Sequence, residues 1–228
     1  NDLSYEDILH SGICNMIVSL PTKDMKDAVK GERHQSWPQY KGKHRHIRKN
    51  KLQTVPKSEV KLSFKYDIRL KNEEFVILDV LDYIMDARCM NKIREERGGT
   101  YSVTFSTETF LEGKMAESSI AFQTRPEMTD ILVADAQALM EEMAAEGPTE
   151  DEFENARKYL AKHHMELADR YRNNLSRKLN QYVEKDKYGI DKQKDYPVIL
   201  DKLSRKDIRK MARRIAKGDS MLSVYTEN

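Results

Sequence analysis

Residues 92–103 read KIREERGGTYSV: a charged stretch, two glycines, then a run that opens on Tyr101 and alternates in polarity. Glycine accepts the left-handed conformation that closes a helix without steric cost, so Gly98 and Gly99 mark a helix end. Behind them, Phe75, Leu78, Leu81, Ile84, Met85 and Ile93 recur at the spacing of one helical face. Asn72 stands where it can cap that helix. About twenty helical residues reach about 30 Å, long enough to cross a sheet.

Upstream of the helix, SEVKLSFKYDIRL (58–70) sets Val60, Leu62, Phe64, Tyr66 and Ile68 in strict alternation with polar residues, the pattern of a strand with one buried face. Downstream, TYSVTFSTETF (100–110) and MAESSIAFQT (115–124) read as two strands joined by a turn at Glu112-Gly113. Pro126 occupies a first-turn position and opens a helix with Met128, Ile131, Leu132, Leu139 and Met143. Thr149 and Glu152 form a capping box for a long helix running to about Gln181, with Phe153, Tyr159, Leu160, Leu167, Leu175 and Leu179. A last helix starts at Ser204, with Asp207 in the reciprocal position, and stops before Gly218. SMLSVYTE (220–227) alternates again and is expected to return to the sheet. Strands that come both singly and in pairs predict an α+β fold of two layers, a mixed or antiparallel sheet with long helices on one face.

The first fifty residues differ in character. Ser4 and Asp7 precede apolar residues Ile8, Ile13, Met16, Ile17 and Leu20, a short amphipathic helix ending at Pro21. Residues 22–51 are polar and rich in cations, including KGKHRHIRKNK at 41–51, and read as a linker or long exposed loop. Those cations, with His44 and His46 among them, can grip phosphates, but only Trp37 and Tyr40 are near for base stacking, which favours a solvated connector.

Across the 228 residues, 40 basic side chains stand against 38 acidic ones, so no overall field selects a nucleic-acid partner. No apolar run approaches the ~18 residues of a membrane span, and the N-terminus NDLSYEDI lacks the basic start and apolar middle of a signal peptide. The sequence does not begin with methionine, which fits a processed product or a piece of a longer protein. Cys14 and Cys89 sit in apolar helical patterns and read as small buried hydrophobes; two cysteines exclude a four-cysteine zinc site.

Catalytic motifs within the chain are wanting. His163, His164 and Glu166 invite a metal, yet adjacent histidines diverge by about 100° around a helix, and the phase of H-x-x-E-H lacks its second histidine. There is no G-x-S-x-G elbow, and neither cysteine has the surroundings of an activated thiol.

The nine residues Ile93-Arg94-Glu95-Glu96-Arg97-Gly98-Gly99-Thr100-Tyr101 resemble the L-R-x-x-x-x-G-x-Y pattern of the C-terminal domain of the pitrilysin or insulinase family of zinc metallopeptidases, relatives of mitochondrial processing peptidase. EGPTEDEFENARKYL (146–160) is similar to the segment joining that domain's two long helices, and DLSYEDILHSGICNMIVSLP (2–21) resembles the end of the domain before it, without the tyrosine and glycine of the family's Y-I-G-S-L-P phrase. The resemblance implies a LuxS/MPP-like metallohydrolase fold for residues 55–228, with 1–54 as the tail of a preceding peptidase domain plus a basic interdomain linker. It further implies that zinc and its general base lie in an N-terminal domain or subunit outside this chain, that the substrate is a peptide or protein, and that the chain itself binds no metal and hydrolyses nothing alone. Carried over by position, Tyr101 would donate to the oxyanion and Arg94 would hold a substrate backbone carbonyl, with Arg97 left as a solvated or capping cation. The compartment stays open, the resemblance leaning toward a bacterial periplasm or cell envelope. Two other readings remain beside it: a non-catalytic scaffold or partner subunit of the same family, and a binding module that uses the 41–51 run on nucleic acid or anionic lipid.

Overall fold

The alternation over residues 58–67 folds as a strand with Val60, Leu62, Phe64 and Tyr66 buried, as a period of two demands. The computed structural model describes residues 38, 40–50, 56–172 and 174–227. Its strands are β1 (Lys43–Asn50), β2 (Ser58–Asp67), β3 (Val103–Phe110), β4 (Met115–Thr124) and β5 (Asp219–Glu227). Its α-helices are α1 (Asn72–Cys89), α2 (Thr129–Glu146), α3 (Glu150–Arg172), α4 (Leu175–Tyr188), α5 (Tyr196–Lys202) and α6 (Arg205–Ala216).

The strands form one sheet in the order β1-β5-β2-β4-β3. β1 is parallel to β5 and the other pairings are antiparallel, which is the expected mixed sheet. Leu62 lies between Leu222 and Ile120, and Phe105 continues that row across β3. Against this apolar face lie α1, α2 and α6; α3 and α5 pack on α1, and α4 on α3. Leu81, Ile84 and Met85 of α1, Leu132, Met140 and Met143 of α2, and Ile208 and Ile215 of α6 are fully buried between the layers. Each such side chain contributes about 1.5–3 kcal/mol by leaving water.

Both expected capping boxes form. Thr149 accepts from the Glu152 N–H while its own N–H donates to the Glu152 carboxylate, and Ser204 with Asp207 does the same at α6. Four expectations are corrected. Residues 43–50 of the basic run are not a loop but strand β1. Asn72 does not cap α1: its side-chain oxygen accepts from the Asp191 N–H at 3.1 Å, and Glu74 closes the helix start by accepting from the Arg69 N–H at 2.9 Å. The single helix expected over 150–181 is two, because extended Asn174 interrupts it and caps α4 by accepting from the Arg177 N–H at 3.0 Å. The seven-residue α5 was not anticipated. The helix expected at 4–19, Cys14 and Trp37 lie outside the described residues.

Candidate functional site

The end of α1 does not stop at Cys89 but widens into a π-helical turn, Met90–Glu96. Such turns carry a strained hydrogen-bond pattern and often lie at functional sites. Ile93, fully buried, holds the inner side of this turn. Arg94, next to it, projects outward with its side chain 43% exposed, its guanidinium reaching Met90 Sδ at 3.3 Å and Glu95 at 3.5 Å.

The two glycines do different work. Gly98 has φ +60°, the left-handed conformation that ends the helix, and its N–H donates to the Arg94 carbonyl at 2.9 Å. Gly99 is there for space: a Cβ on it would stand 2.9 Å from Leu132 Cδ1. Its carbonyl accepts from buried Thr124 Oγ1 at 2.6 Å, which ties the loop to the end of β4.

Tyr101 then emerges 91% exposed, and the Arg94 guanidinium carbon sits 6.0 Å from the centre of its ring. That is a cation–π distance. The helix end and the strand start thus bring these two side chains together on open surface, offering a phenol donor and a fork of N–H donors to whatever approaches. Arg97, expected to be a solvated or capping cation, is instead bound bidentately to Asp135 of α2, at 2.7 Å and 3.0 Å.

The histidine pair separates. His163 stacks on Tyr159 (5.7 Å between centroids, 13°), which stacks on Tyr83; His164 stacks on Tyr196 (4.5 Å, 3°) and burial holds its imidazole below the usual value. No group of three or more metal-ligating side chains occurs among the described residues. Cys89 is fully buried, and burial pushes its thiol up to about 12, so it is an unreactive hydrophobe.

Three carboxylates that the sequence reading passed over stand in a row on α1. Asp86 accepts from the Phe105 N–H at 2.8 Å, Asp82 from the Thr107 N–H at 2.9 Å and Thr107 Oγ1 at 2.6 Å, and Asp79 from the Tyr196 hydroxyl at 3.0 Å. Partial burial raises Asp82 to about 7. The spacing of the three along an otherwise apolar helix was the available signal. Every one is engaged within the fold, so they read as structural.

The family model described as the peptidase M16 inactive domain matches residues 9–160. Among solved structures, the periplasmic protease PqqL from Escherichia coli superposes with a TM-score of 0.69 at 18% identity, over 83% of this chain and 21% of that one. A peptidase M16 inactive domain from Pseudomonas fluorescens gives 0.65 at 15% identity, over 81% and 43%. The ferredoxin protease FusC, solved in complex with Arabidopsis ferredoxin, gives 0.66 at 14%, over 83% and 21%. At these identities the likeness concerns the fold, and this chain spans less than half the length of each of the three proteins. No curated protein sequence matches the chain significantly.

Proposed function

The chain belongs to the peptidase M16 family, matching its inactive domain, and from that premise we propose that it is the C-terminal, non-zinc-binding part of a zinc metalloendopeptidase. The zinc centre belongs to an N-terminal domain or subunit. The observation that carries this reading is the Arg94–Tyr101 pair, 6.0 Å apart and facing solvent across a glycine turn.

Zinc, held by that other domain or subunit, would supply an activated water. As that water adds to a peptide carbonyl, negative charge grows on the oxygen, and a prepositioned phenol stabilises it more than it stabilises the ground state. Tyr101 is that donor. Arg94, permanently charged and planar, holds a backbone carbonyl of the substrate beyond the scissile bond and sets its register. The FusC neighbour, solved with ferredoxin, supports a protein or peptide substrate, and the periplasmic PqqL supports a lean toward the periplasm or cell envelope.

The test is Tyr101→Phe in the full-length enzyme. Turnover is expected to fall about a hundredfold, the usual worth of one oxyanion donor, with zinc content unchanged. Unaltered turnover would discard the oxyanion assignment.

A further inference from the structure

The basic run at 41–51 has no part in that chemistry. β1 is a terminal strand of the sheet, in unbroken register with β5 from Lys43 opposite Ser220 to Asn50 opposite Glu227. Neither a proline nor a bulge interrupts it, every side chain from Lys43 to Lys49 is exposed, and among the described residues no element pairs with its outer edge. The other terminal strand is treated differently. On β3 the N–H groups of Phe105 and Thr107 are taken by Asp86 and Asp82 of α1, so that edge is partly engaged. The edge on β1 has no such partners among the described residues, and it carries the cations.

We propose that the free edge of β1 receives an extended acidic segment of another polypeptide as an added strand. Eight residues at ~3.3 Å each expose a row of backbone donors and acceptors about 26 Å long, and strand addition satisfies such a row. Lys43, His44, Arg45, His46, Arg48 and Lys49 set the sign of the side chains that can lie beside it. Among the described residues Arg45 alone of the lysines and arginines in β1 has a carboxylate partner, Asp130 at 3.3 Å, and that pair is open to water. A second copy of β1 would bring like charges directly across from one another. Nucleic acid would meet the cations but leave the backbone row unmatched, and the adjacent aromatic Tyr40 is already committed, its ring against His44 and its hydroxyl on Glu117. Edge lysines hold off unwanted pairing; a continuous run of one sign does this and also selects a partner of opposite sign.

The test uses the chain with three fluorescein-labelled octapeptides: one alternating Glu and Val, one alternating Lys and Val, and the acidic one N-methylated at alternate residues so that it cannot donate along one edge. The acidic peptide is expected to bind and to slow amide exchange in β1, with affinity falling about tenfold or more between ~50 and ~300 mM salt. The lysine peptide should not bind, and N-methylation should weaken binding at least about tenfold. A Lys43→Glu/Lys49→Glu variant, altered only at exposed positions and checked for retained circular dichroism, should bind the lysine peptide instead. Equal binding of the N-methylated peptide would overturn strand addition in favour of charge alone. No binding of the acidic peptide, or its displacement by an equimolar octanucleotide, would overturn the proposal outright.

Discussion

Arg97 lays its guanidinium on the Asp135 carboxylate through hydrogen bonds of 2.7 Å and 3.0 Å, tying the residue before the glycine turn to α2. With the Thr124 hydroxyl on the Gly99 carbonyl, both sides of the turn are fixed while Tyr101 at its tip is free. Catalytic donors act through prior placement. In the full-length enzyme Asp135→Asn is therefore expected to lower turnover several-fold with little change in KM. The loss from Tyr101→Phe should shrink in that background; additive losses would show that the clamp does not position the tyrosine.

The two glycines should fail differently on substitution. Gly98→Ala meets open space but must hold φ +60°, a cost of about 1 kcal/mol. Gly99→Ala drives a methyl against Leu132, which is fully buried, and overpacking of that kind costs about 1–3 kcal/mol. Urea unfolding of both variants tests this, with the further expectation that Leu132→Ala partly rescues Gly99→Ala and does nothing for Gly98→Ala.

Arg88 forks onto Glu152 at 2.7 Å and 2.8 Å, joining α1 to the first turn of α3. The Arg88 hydrogen bonds pull the Glu152 carboxyl down from 4.5 to about 2. A depressed folded-state value means stability that is present above about pH 4.5 and is lost as pH falls toward 2. Because Glu152 is partly in water, the contribution is discounted to about 1–2 kcal/mol. Glu152→Gln, which can still accept from the Thr149 N–H, should be less stable at pH 7 by that amount. Its acid-unfolding curve should be flatter between pH 4.5 and 2.

Much of this fold could be read in the sequence where the signal is local. β2 announces itself by alternation because one of its faces is buried along its whole length. The boxes at Thr149 and Ser204 sit within three residues of their partners. β1 was missed for the complementary reason: a terminal strand exposed from Lys43 to Lys49 has no apolar period to show. Asn72 looked like a cap, but its partner is Asp191, 119 positions away, and distance in sequence hides that competition. At the candidate site the turn and the Arg94–Tyr101 spacing were legible. Asp135, Thr124 and Leu132, which hold the turn, were not, because Thr124 reaches it from β4 and the other two from α2.

Asp82 acts in a pH window that begins where that of Glu152 ends. Burial raises its carboxyl to about 7, against the opposing pull of the Thr107 hydrogen bonds. A raised value means that the folded chain holds the proton more tightly than the unfolded one, so stability from this group is complete below about pH 4 and is lost as pH climbs to 7. Neighbouring Asp79 and Asp86 add repulsion once Asp82 ionises. Asp82→Asn keeps an oxygen for the Thr107 N–H and carries no charge. It should therefore match the wild type near pH 4, exceed it by about 1–3 kcal/mol at pH 8, and remove the decline between the two. Urea midpoints at pH 4, 5, 6, 7 and 8 measure this, and a variant less stable than wild type at pH 8 would show that the carboxylate anchors the β3 edge in its ionised form.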